Sequence, residues 1–166
     1  LLCTSLFFAQ EYSFKNYDWN EKETKVDIPE PYKNEKEVIL ERTTKIEIVV
    51  SGKSAKQYHL LHEKILINSD DAIERNNKIY IPFSLDESVL VNKARVILKN
   101  GTVIHLDKKD IKEDVDQEKG MKYNYFAVNG LEKGAVIEKL YVMQESQEFT
   151  GSTIKMQDDY PIAYLN

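Results

Sequence analysis

From Glu37 onward, apolar and polar residues alternate with period two, the signature of strands that bury one face. In Glu37 to Val50 the even positions read Val38, Leu40, Arg42, Thr44, Ile46, Ile48 and Val50, while the odd ones include Glu37, Glu41, Lys45 and Glu47. This predicts a strand with its even side turned inward. Each of the five aliphatic side chains is worth about 1.5–3 kcal/mol when buried, so a one-residue slip would forfeit roughly 8–15 kcal/mol. Ser51, Gly52 and Lys53 predict a turn, and Gln57 to Ile67 resumes extended character through Tyr58, Leu60, Leu61, Ile65 and Ile67. Asn68 to Lys78 reads as a polar loop. In the run Ile79, Tyr80, Ile81, Pro82, Phe83, the proline lacks a ladder N–H and predicts an edge or bulged strand.

Val89 to Leu98 and Thr102 to Leu106 flank Asn100 and Gly101, a pair suited to the positive φ of a tight hairpin. Asp107 to Gly120 is dense in charge, and Ile111 with Val115 makes too thin a stripe for a helix, so it reads as a loop. Tyr123 to Val128 and Ala135 to Met143 alternate around Asn129, Gly130 and Gly134, predicting a further hairpin. About seven strands and no long helix predict an all-β fold, an antiparallel two-layer β-sandwich with at most short helical turns. It is expected over residues 37–166, cut at its C-terminal end because the chain stops on Ala163, Tyr164 and Leu165 without a polar tail. Residues 11–36, with Pro29 and Pro31, are expected to form an extended lead-in whose Trp19 packs onto the domain.

With 166 residues, 42% hydrophobic and 31% charged, the chain suits one soluble core, and its net charge of -5 provides no field for a phosphate backbone. Nucleic acid is excluded as a partner on that ground. The lysines interleave with acids, as in Lys108, Lys109, Asp110, Lys112, Glu113 and Asp114, and read as a solvated surface. Residues 1–10 hold the uncharged run Leu6, Phe7, Phe8, Ala9 and read as a truncated signal peptide cleaved near Ala9 or Gln10. The protein is therefore expected to be exported, periplasmic or extracellular, and not membrane-spanning. Cys3, the only cysteine, lies in that leader; Leu2 before it stands where lipoprotein signals carry a small residue.

Candidate chemistry is sparse. His59, His62 and His105 invite a metal-site reading, but His59 and His62 are three apart and point to opposite faces of a strand. Glu132 and Glu138 are the one carboxylate pair to inspect for acid–base work. No Gly-x-Ser-x-Gly elbow, phosphate loop or dinucleotide fingerprint is present. These residues predict no catalytic site, no metal and no cofactor. Tyr123 and Tyr125 share a strand face while Phe126 points away, so the two tyrosines are candidate stacking residues for a sugar or peptide.

Three ordered stretches carry a family resemblance: Ala94 to Ile104, with Ala94-Arg95 and Asn100-Gly101; Tyr125 to Glu138, with Gly130, Gly134 and Glu138; and Met156-Gln157 to Pro161-Ile162. Together they resemble domain of unknown function 3857, the N-terminal β-rich domain of exported bacterial transglutaminase-like proteins. The resemblance runs from about Glu37 to the end and departs from the family at Lys36 and Glu37. It implies a β-rich fold, an extracytoplasmic setting, and a papain-like Cys-His-Asp domain further along a longer chain. It also implies structural roles for its shared residues, with Gly101, Gly130 and Gly134 at turns and Glu138 bracing a strand or loop.

The function expected is a non-catalytic accessory module that packs beside or positions such a downstream domain. The alternative is a recognition module for cell-wall glycan or peptide that uses the aromatic sheet face. A third reading, a metal-dependent hydrolase built on the three histidines, lacks convergent ligands.

Overall fold

The computed structural model describes residues 11–84, 88–106, 108–116, 118–146 and 159–166. Residues 1–10 with Cys3, expected to be a leader, and the Met156–Asp158 part of the third stretch lie outside the described residues. Eight strands are described: β1 (Glu37–Ser51), β2 (Ser54–Ile67), β3 (Lys78–Ser84), β4 (Ser88–Ile97), β5 (Val103–Leu106), β6 (Lys112–Asp116), β7 (Met121–Ala127) and β8 (Ala135–Ser146). They form two antiparallel sheets, a five-stranded one in the order β1-β2-β8-β4-β5 and a three-stranded one in the order β3-β7-β6. The all-β two-layer sandwich expected from alternation is the fold observed.

Between the sheets, Ile39, Ile65, Ile67, Val96 and Ile137 of the large sheet pack against Ile79 and Phe126 of the small one. The central strands β2 and β8 are covered on both sides, which explains their near-continuous apolar runs Ile65-Leu66-Ile67 and Val136-Ile137. The large sheet's other face is covered by the lead-in. Phe14 and Trp19 pack on Leu60, Leu140 and Val142, while Val26, Ile28 and Tyr32 pack on Val38, Leu40, Leu66, Ile97 and Val136. The lead-in is thus part of the core.

Strand β1 departs from the single inward face its alternation predicts. Pairing passes from Ile39↔Ile65 to Glu41↔Lys64, so Leu40 is an extra residue, a β-bulge that reverses the alternation. Val38 and Leu40 face the lead-in; beyond the bulge the even residues face the other way. The small sheet covers only the Ile39 end of that side, so Ile48 and Val50 remain 49% and 60% exposed.

Two expected loops carry structure. Within the polar stretch after β2, Asp70–Arg75 forms a short helix, α1, whose Ala72 N–H is capped by Ser69 Oγ at 3.1 Å. Ala72 and Ile73 reach the inter-sheet core, and that packing outweighs the polarity of their neighbours. The charged stretch after β5 supplies β6, an exposed strand held by pairing along β7. Pro82 lies in β3, an edge strand, as its missing donor requires. The β4–β5 hairpin turns at Gly101, where φ is +86° and the N–H donates to Leu98 O at 2.9 Å. Gly130 and Gly134 also hold positive φ.

The C-terminal residues run parallel to the outer edge of β1. Ile39 N donates to Pro161 O, Arg42 N to Tyr164 O and Thr44 N to Asn166 O, at 2.9–3.0 Å. Among the described residues, no helix is long and apolar enough to cross a membrane.

Candidate functional site

Among the described residues, chemistry gathers on the outward faces of the two sheets. The first lies beneath the lead-in. Arg95 of β4 and Glu138 of β8 are register partners across the strand pair, and each is 0% exposed. Arg95 Nε and Nη2 both stand 2.6 Å from Glu138 Oε2, and His62 Nε2 is 2.8 Å from Oε1. The other imidazole nitrogen, Nδ1, is 2.8 Å from the Tyr17 hydroxyl. Arg95 is closed over by the lead-in: Nη2 donates to Asn20 O at 2.9 Å, and the guanidinium carbon lies 5.0 Å from the Trp19 ring centroid. Lys93, 4.4 Å from that ring, pairs with Asp18 at 2.8 Å and Glu21 at 3.0 Å. Lys64 bridges Glu23 at 2.8 Å and Glu41 at 3.2 Å.

Burial alone would raise the Glu138 pKa, but the hydrogen bonds from His62 and Arg95 and the charge of Arg95 outweigh it and hold the carboxyl below its ordinary value. The Tyr17 phenol is pushed up, chiefly by burial. Phenol, imidazole and carboxylate stand in relay order, yet both ring nitrogens are bonded and Arg95 holds the carboxylate in its charged form. The array behaves as a clamp: a buried ion pair is tolerated because its hydrogen bonds are filled, and the lead-in fills several of them.

A second buried charge set lies on the opposite face of the same strands. Glu63 accepts from Arg42 Nε and from Lys139 Nζ, the latter at 2.7 Å. Alternation explains the two sets: His62 and Lys64 point to the lead-in, whereas Glu63 between them points away.

The second place is the outward face of the small sheet. Phe126 is buried in the core, and Tyr123 and Tyr125 turn the other way to join Tyr80 of β3, which is 46% exposed. Tyr80 meets Tyr123 edge to face at 6.2 Å and 87°, and lies 5.6 Å from Tyr125. Lys78 Nζ stands 5.5 Å from the centroid of the Tyr125 ring. Tyr80, Tyr123 and the β6 residues Asp114–Asp116 frame a concavity of about 410 Å³.

The histidines are dispersed. His59 faces Tyr141 at 6.2 Å on the face opposite His62, and His105 of β5 lines a separate cleft with Asp110 and Asn129. Among the described residues no group of three or more His, Cys, Asp or Glu side chains is gathered as metal ligands. Glu132 is exposed on the β7–β8 connection and does not join Glu138. Sequence reasoning missed Arg95 and His62 as partners of Glu138, and Tyr17 and Trp19 as the lead-in residues that close over them. The available signal was a charged residue inside an apolar run, as in Ala94-Arg95-Val96-Ile97 and Val136-Ile137-Glu138, because lone charges at core positions need partners.

Comparison with known proteins adds the family. Residues 53–165 match the family model of DUF3857, a domain of unknown function with solved structures. The chain belongs to the DUF3857 family. The DUF3857 match begins after β1, although β1 pairs along the whole length of β2. The family's description names no reaction, and no curated protein matches the chain. Among solved structures, one from Parabacteroides distasonis ATCC 8503, provisionally named a protease, matches with a TM-score of 0.58 at 15% identity over 69% of this chain. The match covers 24% of that structure's chain, so this chain spans about a quarter of its length. At this identity the likeness is one of fold.

Proposed function

We propose that this DUF3857 chain is a non-catalytic accessory module of an exported protein, packing beside or positioning a transglutaminase-like domain that follows it. The observation that carries the reading is the closure of the Tyr17–His62–Glu138–Arg95 array. Among the described residues, this relay-like grouping is spent on binding the lead-in to the sheet, with both imidazole nitrogens and both carboxylate oxygens occupied. The fold shared with a quarter of a larger protein provisionally named a protease supports an accessory place in a longer chain. The test is an assay of the purified chain against amide, peptide and acyl-transfer substrates, where no turnover is expected. Turnover that disappears in folded His62→Gln would defeat the proposal.

A second reading has its own observation. Tyr80 joins Tyr123 and Tyr125 in one outward aromatic patch beside Asp114 and Asp116, which supports a recognition face for cell-wall glycan or peptide. Retention on cell-wall polymer that is unchanged in Tyr123→Ala/Tyr125→Ala would remove it.

A further inference from the structure

We infer that the corner between Tyr80 and Tyr123 binds the side-chain ammonium group of a lysine-type residue carried by a peptide. The inference rests on the recognition-face reading and names its ligand. Aromatic faces are the negative side of a quadrupole and attract cations within about 6 Å of the centroid. Tyr80 and Tyr123 stand at 87°, so they form two walls of a corner rather than a flat platform. Asp114 is the register partner of Tyr123 across β6 and β7, and Asp116 lies one alternation further on the same face. Among the described residues, those lining the concavity of about 410 Å³ include two acids and no base, with Lys112 and Lys78 set beyond it on either side of Tyr125, so its charge and its ring faces favour a cation.

The two carboxylates are not equivalent. Asp116 Oδ1 accepts from the N–H groups of Glu118 and Lys119, and its Oδ2 lies 3.6 Å from Lys119 Nζ, so it is engaged by its own turn. Asp114 accepts at Oδ1 from Val115 N, and no basic side chain among the described residues pairs with it. Asp114 is therefore the counter-charge available to a ligand.

The same face already shows this interaction next door, where Lys78 lies over Tyr125. That arrangement also argues against a sugar. A saccharide ring stacks on broad open ring faces, but here Tyr125 is attended by Lys78 and the Tyr80–Tyr123 pair is perpendicular. A compact cation fits such a corner better than a flat pyranose.

The experiment is a titration of the isotope-labelled chain followed by amide NMR. Three probes are used: Nα-acetyl-lysine amide, the same compound acetylated on its ε-amine, and an N-acetylglucosamine oligomer. Saturable shifts at Tyr80, Asp114 and Tyr123 are expected with the amine, with affinity reduced at least roughly tenfold by ε-acetylation. Asp114→Asn and Tyr80→Ala are each expected to weaken the amine roughly twofold to thirtyfold. Equal binding of the acetylated and free amines overturns the inference, and since this arm needs no variant it holds however the variants fold. Binding of the glycan oligomer at these tyrosines without amine binding overturns the ammonium assignment and leaves the recognition face standing. No response at these residues to any probe overturns both.

Discussion

The two sheets treat their outward faces in opposite ways. The large sheet's outward face carries Arg95, Glu138, His62 and Lys64 and is sealed by the lead-in: Arg95 and His62 hold Glu138, while Arg95, His62 and Lys64 each take a partner from Tyr17, Asn20, Glu21 or Glu23. The small sheet's outward face carries Tyr80, Tyr123, Tyr125 and Asp114 and has no such cover among the described residues. Both faces carry ionisable groups, but the first meets its charges from within, whereas the second leaves its groups open to solvent. Number of reactive side chains is therefore a poor guide to function here, and the better guide is whether their valences are filled.

The contrast can be broken most severely by removing residues 11–24. That exposes the Leu60–Leu140–Val142 patch and deprives Arg95 and His62 of partners. Loss of Phe14 or Trp19 alone is worth about 3–5 kcal/mol against a total stability of about 5–15, so cooperative thermal unfolding should disappear. Next, Arg95→Ala leaves Glu138 buried without its main counter-charge and should cost about 3–5 kcal/mol in urea titration. A loss below about 1 kcal/mol would mean that the array is not the clamp.

Acid provides a smaller, graded test. Glu138 is held below its ordinary value of 4.5, so the folded state favours the charged form. The resulting stabilisation is complete above that value and is lost as pH falls through the depressed folded one, with Asp18 and Glu21 lowered in the same sense. Melting temperature should therefore fall as pH is lowered from 4.5, and by less in Glu138→Gln. The smallest effect belongs to the open face. Tyr80→Ala or Tyr123→Ala should change stability by no more than about 0.5–1 kcal/mol, and a larger loss in urea titration would place these rings among the supports of the fold.

Much of the fold was legible because local chemistry dictated it. Asn100-Gly101 marked its hairpin, Pro82 its edge strand, and alternation set Phe126 against Tyr123 and Tyr125. Leu40 was not legible as a bulge, since an inserted residue is defined only against the partner strand, and the even-side expectation for Ile48 and Val50 failed with it. The strand β6 was hidden because Lys112–Asp116 is held by a neighbour's backbone rather than by its own apolar face. The clamp was visible only in fragments. Glu138 was singled out as a carboxylate while Arg95 lay unremarked as a charge in its apolar run; their meeting depends on β4 lying beside β8, and Tyr17 comes from a segment 45 residues before His62.

The C-terminal residues have a further consequence for how the molecule keeps to itself. Five backbone hydrogen bonds from Pro161–Asn166 occupy the outer margin of β1 between Ile39 and Thr44, so this stretch cannot template a foreign strand or seed edge-to-edge polymer growth. Beyond Thr44 the margin passes to Lys45 and Glu47, whose charges resist the dry stacking that fibrils require.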